Sequence, residues 1–279
     1  MLYLVATPIG NLEDMTFRAV RILKEVDLIA CEDTRHSRKL LDHFQVSTPL
    51  TSFFEHNERD KGRQLLEKLK SGLSIALISD AGTPAISDPG YRLVRLCHEQ
   101  AIPVTIIPGA QAAVSALAVS GLATDRFVFE GFLPAKRKGR CERLSDLANE
   151  PRTLVFYESP HRLAATLADV AEVFGVDRDV VVVRELTKLY EEICRGTAGD
   201  LVERWQDEKV RGEIVLLVAG APEREPEVDL ESAVRQALAT GAAPKQISRE
   251  LSKVYGLSGS DVYQVVLQVK QGAKVEQDA

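Results

Sequence analysis

Short apolar runs alternate with helical patterns along the first half of the chain, and this alternation constrains the fold more than any other feature. The runs that predict strands are Leu2–Ala6, Asp27–Cys31, Leu50–Phe54, Ile75–Ile78 and Val104–Ile107. A helical pattern follows each strand, for example over Arg59–Lys70. Because strands alternate with helices, we predict an α/β fold with a mainly parallel sheet and helices on both of its faces.

One strand end, within Leu77–Tyr91, leads into a loop that is rich in glycine, proline and acidic residues. Ligands of open α/β sheets bind on loops at the carboxyl ends of strands, so we expect Asp80–Ile86 to face a ligand. Asp88 precedes Pro89, and this pair is typical of a helix start with the aspartate as N-cap and the proline at the first helical position. We therefore expect Asp80 to lie near the ligand and Asp88 to cap the next helix.

The α/β pattern restarts after Gly121–Asp125, which indicates a second domain. Its predicted strands are Phe127–Gly131, Thr153–Tyr157, Val180–Glu185 and Ile214–Val218, with a basic loop at Leu133–Gly139. Fewer of these strands are separated by helices, so we expect a mixed sheet. The predicted domains are an N-terminal α/β domain over 1–121, a C-terminal α/β domain over 122–221, and a linker with a helical tail over 222–279.

The segment after the second domain begins with Pro222–Asp229, which is acidic and broken by prolines, as is typical of a linker. Short helices are predicted after it at Leu230–Ala239, Lys245–Tyr255 and Asp261–Lys270. Residues 245–274 carry five Lys or Arg and two acidic residues. This mildly basic tail fits either a capping helical segment or a helix-turn-helix hairpin.

Composition excludes several classes of protein. The chain has 279 residues and a net charge of −6, so nucleic-acid binding would have to come from local basic patches. Its four cysteines form no Cys-x-x-Cys pair, so neither a zinc site nor a disulfide framework is expected. The N-terminus lacks the basic start of a signal peptide and no apolar run reaches membrane-spanning length, which predicts a cytoplasmic protein. Neither a P-loop, a Gly-x-Gly-x-x-Gly fingerprint nor a Gly-x-Ser-x-Gly elbow occurs.

Four polar loops follow strands of the first half and are expected to meet at one edge of the sheet, in a crevice that the second domain closes: Thr7–Asn11, Glu32–His36, Glu55–Glu58 and Asp80–Asp88. His56 is a candidate general base, although a histidine at a strand end is as often a plain surface residue. Asp33 and Arg35 fit either a catalytic role or a surface ion pair with a helix cap. Glu185 and Lys188 fit either a solvated turn or a wall of the substrate site.

Seven strings of residues, taken in order, resemble a known family. They are Leu4–Asp14, Cys31–His36, Phe54–Glu58, Ser79–Gly90, Ile107–Gln111, Phe156–Arg162 and Arg184–Lys188. They are similar to the tetrapyrrole methylase superfamily and, within it, to the bacterial enzymes that methylate the ribose 2′-oxygen of a cytidine in the decoding region of 16S ribosomal RNA. The Ser79–Gly90 string is the most specific of them, together with Ala6–Asn11.

The resemblance implies two α/β domains, a homodimer and S-adenosyl-L-methionine in the cleft between the domains, with no metal. It implies that the methyl donor contacts Pro8, Ile9, Gly10, Asp80, Ala81, Gly82, Thr83, Pro84, Ile86, Gly109, Ala110, Gln111, Tyr157 and Val183. Methyl transfer to a hydroxyl requires positioning and removal of the hydroxyl proton, for which the candidates are His56, Glu55, Asn57, Asp33 and Arg35. Candidates for contact with the phosphates of small-subunit ribosomal RNA are Lys136, Arg137, Lys138, Arg140, Lys245 and Arg249.

Two other functions are compatible with this fold. A methylase of a tetrapyrrole or another small molecule would need neither a basic rim nor a helical tail, and the cations between Lys136 and Arg143 argue against it. A non-enzymatic RNA-binding protein would bind without turnover and would give His56 no role. Transfer of a labelled methyl group separates these alternatives.

Overall fold

The first half of the chain forms a parallel sheet, as the alternation of strands and helices predicts. The computed structural model describes residues 1–206, 208–222 and 230–275. The strands of the first sheet are β1 (Leu2–Val5), β2 (Leu28–Cys31), β3 (Leu50–Ser52), β4 (Ile75–Leu77) and β5 (Val104–Ile107). They pair in the order β3-β2-β4-β1-β5, and every pair is parallel. All five strands therefore end at the same edge of the sheet.

Helices cover both faces of this sheet. They are α1 (Phe17–Glu25), α2 (Thr34–His43), α3 (Glu58–Lys70) and α4 (Tyr91–Glu99). Alternate residues of β2 point to opposite faces: Ile29 packs in the core with α1 and α2, whereas Ala30 packs in the core with α3 and α4. A strand buried on both sides has a continuous apolar sequence, which is why these short runs were recognisable.

The second sheet is mixed, as predicted. Its strands are β6 (Phe127–Phe132), β7 (Thr153–Glu158), β8 (Asp179–Arg184), β9 (Glu192–Thr197) and β10 (Ile214–Val218), in the order β6-β7-β10-β8-β9. Only the β6–β7 pair is parallel. The sequence prediction did not include β9. Its apolar residues are interrupted by Arg195 and Gly196, and it lies at the edge of the sheet, where one-sided pairing tolerates such a sequence.

The helix α5 (Ala112–Ser120) follows the last strand of the first sheet but packs on the second sheet. Its buried residues Ala113, Ala116 and Leu117 share a core with Val155, Val181 and other residues of that sheet. The opposite face of the sheet is covered by α6 (Arg137–Leu147), α7 (Leu163–Phe174) and α8 (Ala198–Trp205). The predicted basic loop at Leu133–Gly139 is therefore wrong in part, because α6 begins at Arg137.

Residues Met1–Ala221 form one compact unit that contains both sheets, and Pro222–Ala279 form a second unit. The predicted boundary between residues 121 and 122 falls inside the first unit and stays a prediction. The second unit contains α9 (Leu230–Ala239), α10 (Pro244–Tyr255) and α11 (Gly259–Val275), which share a small core of Val234, Ile247, Val262 and Val266. Apart from Pro222, the predicted linker Pro222–Asp229 lies outside the described residues.

No helix within the described ranges has both the length and the apolar composition that crossing a bilayer requires.

Candidate active site

Three loops at the carboxyl edge of the first sheet are tied together by hydrogen bonds. After β1, Thr7 forms an isolated antiparallel bridge with Gly82, with N–H to O distances of 2.9 and 3.0 Å. Thr83 donates from Oγ1 to the carbonyl oxygen of Ala110, at 3.3 Å, which connects the loop after β4 to the turn after β5. These contacts are possible because β4, β1 and β5 are neighbours in the sheet. The order of the strands thus assembles loops that are far apart in sequence.

The loop after β4, residues 79–90, has a strained backbone. Ala85 and Ser87 adopt positive φ angles of 68° and 61°, which side chains other than glycine rarely adopt. Gly90 has a φ of 142°, and a Cβ atom there would lie 2.8 Å from Cδ2 of Leu77. Unusual backbone geometry of this kind persists only where surrounding structure enforces it, and it is concentrated at functional sites.

Asp88 does not cap α4, contrary to the sequence prediction. The helix begins at Tyr91 with Gly90 as its N-cap, and no side chain of that cap accepts a hydrogen bond. The Gly90 N–H donates to a carboxylate oxygen of Glu58 instead, at 3.0 Å. The Asp-Pro pair precedes the helix start by one residue, since Gly90 stands between Pro89 and the first helical residue, Tyr91. Asp88 is consequently available to a ligand.

A cavity of about 380 Å³ lies between the two sheets. From the first sheet and α5 it is lined by Ile9, Asp80, Ala81, Gly82, Thr83, Ile86, Ser87, Asp88, Gln111 and Ala112. From the second sheet it is lined by Phe132, Tyr157, Glu158, Ser159, Pro160, Val183, Leu186, Gly212, Glu213, Ile214 and Val215. Such a mostly apolar cleft with a few polar groups has the size and character of a small-molecule site.

Most residues that the resemblance implies for the cofactor line this cavity. The exceptions, which do not line it, are Pro8, Gly10, Pro84, Gly109 and Ala110. Gly109 packs against Ala6, where an added Cβ would lie 3.0 Å from the alanine Cβ. Gly10 lies under the side chain of Lys188, whose Cγ an added Cβ would meet at 2.4 Å. These residues shape the loops that reach the cavity, and their contact with a ligand stays a prediction.

The second sheet contributes an aromatic group to the cavity. The hydroxyl of Tyr157 lies 3.4 Å from Nε2 of Gln111, which connects β7 to the N-terminus of α5. The Tyr157 ring packs edge-on against Phe129 and tilted against Phe132, with centroid distances of 5.0 and 5.6 Å. Burial raises the pKa of the Tyr157 hydroxyl. The ring therefore forms a fixed, neutral wall of the cavity.

Carboxylates give the cavity a negative potential. Burial, and then the charge of Glu32, raises the pKa of Asp88 from 3.8 to about 6, while a hydrogen bond from Ser79 acts in the opposite direction. Burial, and then the charges of Asp80 and Glu55, raises the pKa of Glu32. Carboxylates that raise one another's pKa in a partly buried site favour a cationic ligand.

Sequence reasoning missed several residues of the second-sheet wall. Glu158 is buried and accepts hydrogen bonds from the Ser159 N–H, the Thr166 hydroxyl and Arg162, at 2.7, 2.6 and 3.1 Å. Its position in the Phe156–Arg162 string was the available signal. Gly212 and Glu213 also line the cavity, but nothing in their local sequence distinguishes them from an ordinary turn.

The Glu185–Lys188 turn, which fits two roles in sequence, belongs to the wall of the cleft. Lys188 forms ion pairs with Glu185 and Glu213, at 2.7 and 3.1 Å. Leu186 lines the cavity, and Lys188 lies over Gly10 of the first sheet. Glu185 and Thr187 have positive φ angles of 51° and 69°. These contacts favour the substrate wall over the solvated turn.

None of the predicted catalytic residues lines the cavity. Asp33 caps α2 by accepting from the N–H groups of Arg35 and His36, and the Arg35 side chain is 92% exposed. Asn57 accepts from the Phe54 N–H at 2.8 Å. Glu55 and His56 are exposed on a 3₁₀ turn. This group lies next to Glu32, whose pKa the charges of Glu55 and Asp33 raise, so it borders the acidic side of the site.

The predicted RNA contacts of the Lys136–Arg143 segment need correction at Arg140. Its side chain is buried and donates to Asp169 at 2.6 Å and to the Ala135 carbonyl at 3.2 Å, so it cannot reach a phosphate. Arg137 also pairs with Asp169, at 2.9 Å. Lys136 is exposed, and the Lys138 side chain is 90% exposed. The cations of one short segment therefore have different roles.

In the second unit, the predicted RNA contacts Lys245 and Arg249 are both exposed on α10. Their spacing of four residues places them on the same face of the helix. Their contact with RNA stays a prediction.

A cleft between a parallel and a mixed sheet, with an acidic loop and an aromatic wall, is typical of an α/β enzyme that binds a small molecule. The family described as tetrapyrrole (corrin/porphyrin) methylases matches residues 1–202. The chain belongs to this family.

Relatives with close sequence similarity share one name. A protein of Synechocystis sp. named ribosomal RNA small subunit methyltransferase I is 50% identical over 274 residues, which cover 97% of this chain and 98% of that protein. A protein of the same name from Pasteurella multocida is 48% identical over 273 residues, with 96% and 97% covered.

Solved structures confirm the fold. Uroporphyrin-III-C-methyltransferase from Thermus thermophilus aligns with a TM-score of 0.57 and 19% identity, over 79% of this chain and 94% of that chain. Diphthine synthase aligns with a TM-score of 0.60 and 12% identity, over 78% and 89%. At these identities the likeness concerns the fold alone.

Proposed function

We propose that the protein transfers a methyl group from S-adenosyl-L-methionine to the ribose 2′-oxygen of a cytidine in the decoding region of 16S ribosomal RNA, in the cytoplasm. The observation that carries this proposal is the 50% identity, over nearly the whole of both chains, to a ribosomal RNA small subunit methyltransferase I. The family match over residues 1–202 supports methyl transfer, and the name of the relatives supports the substrate.

The cavity fits the methyl donor by its chemistry. When bound, S-adenosyl-L-methionine supplies a methyl group activated by a sulfonium cation, and a cation suits a cleft whose lining contains the carboxylate of Asp80. The apolar residues Ile9, Val183 and Leu186 suit a flat aromatic base. Gly82 lets the chain approach a ligand closely, since its backbone faces the cavity without a side chain. Residues on both walls would hold the donor and exclude water from it.

Transfer to a hydroxyl then depends on what the chain does to the acceptor. It has to orient the ribose, remove its proton and leave the cleft open for a nucleotide that is splayed out of folded RNA. Glu55, His56 and Arg35 are exposed in the segments that follow β2 and β3, at the carboxyl edge of the first sheet. We keep them as candidates for orienting the RNA. Lys136 and Lys138 in the first unit, and Lys245 and Arg249 in the second, are the candidates for phosphate contact.

A homodimer is part of the proposal, and α5 supports it. This helix is apolar on all sides, and one face packs on the second sheet. On the other side Val114 and Val119 have 53% and 39% of their surface exposed. An all-apolar helix is normally buried, so the exposed face of α5 suits contact with a second copy of the chain.

The test is a methyl-transfer assay with the full chain. The protein is mixed with labelled S-adenosyl-L-methionine and small ribosomal subunits that lack the modification, and the labelled nucleotide is located by nuclease digestion and mass spectrometry. We expect label on the ribose of one cytidine. Naked 16S RNA and a porphyrinogen serve as comparison substrates. Transfer to the porphyrinogen, with none to subunits or RNA, would contradict the proposal.

A further inference from the structure

The carboxylates of the cavity differ in the partners that they already have. Glu158 accepts three hydrogen bonds within the second sheet, and Glu213 pairs with Lys188. Asp80 accepts from the Asp33 N–H at 3.2 Å, which holds the loop after β2. These three groups are engaged in maintaining the walls of the cleft.

Asp88 is different, because it forms neither a helix cap nor an ion pair within the part of the chain that the structure describes. It lines the cavity at the end of a loop whose backbone is held in left-handed turns at Ala85 and Ser87. The capping role that its sequence suggested is taken by Glu58, from another helix. The fold thus holds at the cavity a carboxylate whose one hydrogen-bond partner among the described residues is Ser79.

We propose that Asp88 is the catalytic base that removes the proton from the ribose 2′-hydroxyl. This inference rests on the proposed function. The C–O bond forms as the C–S bond of the donor breaks, the electron pair of that bond stays on sulfur, and the hydroxyl proton goes to a carboxylate oxygen of Asp88. The acid then releases its proton to water, and the products are the methylated ribose and S-adenosylhomocysteine.

The surroundings of Asp88 suit this role. The charged groups that face it are the carboxylates of Glu32, from the loop after β2, and Asp80, from its own loop. Tyr157 faces it from β7, and Ser79 contributes a hydrogen bond. Burial and Glu32 raise the pKa of Asp88 to about 6, so the group is ionised at pH 7 to 8 but is a stronger base than an ordinary aspartate.

Exposure distinguishes Asp88 from His56, the base that the sequence favours. His56 is exposed on its 3₁₀ turn and does not line the cavity. A base has to come within hydrogen-bond distance of the hydroxyl whose proton it removes, and the reacting oxygen has to lie beside the donor in the cleft. Asp88 lines the cavity that would hold the donor, whereas His56 does not.

The experiment compares Asp88→Asn with the wild type and with Asp177→Asn, an exposed aspartate before β8 that serves as the matched control. Single-turnover methyl transfer to small subunits is measured between pH 5.5 and 8.5 at saturating donor, and donor affinity is measured by calorimetry. For the wild type, we expect the rate constant to rise with an apparent pKa near 6 and then to level off. For Asp88→Asn we expect a loss of about 100-fold or more, without that pH dependence, and a donor Kd close to the wild-type value.

Several outcomes would overturn the inference. One is an Asp88→Asn rate within a few-fold of the wild type, and another is a weaker donor Kd with an unchanged rate at saturation, which would make Asp88 a donor-binding group. A third is a pH dependence that Asp88→Asn keeps and His56→Ala abolishes. The proposed function fails separately, if the wild type does not methylate the subunits at all. A melting curve of Asp88→Asn shows that the variant is folded.

Discussion

The loop from Asp80 to Pro89 and the segment from Lys136 to Arg143 are both short, glycine-containing and strongly charged, but the fold treats their charges in opposite ways. In the loop, Asp88 faces a cavity, and burial together with the charge of Glu32 raises its pKa. In the segment, Arg140 is buried against Asp169, with a donor–acceptor distance of 2.6 Å. The comparison shows that a buried charge with an opposite charge beside it maintains the fold, whereas one surrounded by like charges is available for a ligand or a reaction.

The largest expected effect on stability is that of removing the buried cation. Arg140→Ala leaves Asp169 buried with only Arg137, so we expect the free energy of unfolding to fall by about 3 to 4 kcal/mol in urea denaturation at pH 7.5. Lys138→Gln, two residues earlier on the exposed side of α6, is the control and should change it by less than about 0.5 kcal/mol. Equal losses of unfolding free energy in both variants would mean that the buried Arg140 contributes no more to stability than the exposed Lys138.

Removing the charge of Asp88, in the loop, should instead raise the free energy of unfolding. Because the folded protein holds the proton of Asp88 more tightly than the unfolded chain does, ionising this group costs stability. The cost is absent below about pH 4, grows as the pH rises toward 6, and is complete above it. Asp88→Asn should therefore stabilise the protein at pH 8 by about 1 to 2 kcal/mol, since its pKa rises from 3.8 to about 6 and its partial exposure to solvent screens the effect.

Thermal and urea unfolding at pH 4 and pH 8 measure this effect, and the gain from Asp88→Asn should disappear at pH 4. A variant that is less stable than the wild type at pH 8 would show that Asp88 contributes to the fold. The charge of Asp88 would then stabilise the fold as the charge of Arg140 does, and the contrast between the loop and the Lys136–Arg143 segment would be wrong.

A smaller effect is expected from Gly82→Ala, which tests the loop as a ligand site. The added Cβ would lie 3.3 Å from Cγ2 of Ile9 at the cavity, and φ is +78°. Gly72→Ala is the matched control, because its φ is +98° and no atom lies within 4 Å of an added Cβ. Both variants carry backbone strain, but only Gly82→Ala should weaken donor binding, by about tenfold in Kd, as measured by calorimetry. If both variants bind the donor with the same Kd, the loop around Gly82 is not part of the donor site.

Much of the site was predictable because its signals are local. Asp80–Ile86 was expected at the edge of a parallel sheet, since an apolar strand and a proline- and glycine-rich loop specify that position whatever lies around them. Asp88 was misassigned as a cap for the same reason: Asp-Pro before a helical pattern is a sound local signal. It failed because Glu58, which is 30 residues away in sequence, provides the hydrogen bond to the helix start.

The sequence alone determined the alternation of strands and helices, the parallel first sheet and the position of the polar loops at one edge of that sheet. It could do so because hydrophobic periodicity and turn residues act within a few positions of the chain. Only the tertiary structure decided which charges are used for stability and which are left at the cavity. Arg140 and Lys138 have similar local sequences, but Arg140 is buried against Asp169 and the Ala135 carbonyl, whereas Lys138 is exposed. Burial and pairing depend on residues that are distant in sequence, so the roles of Asp88 and Arg140 could not be read from their neighbours.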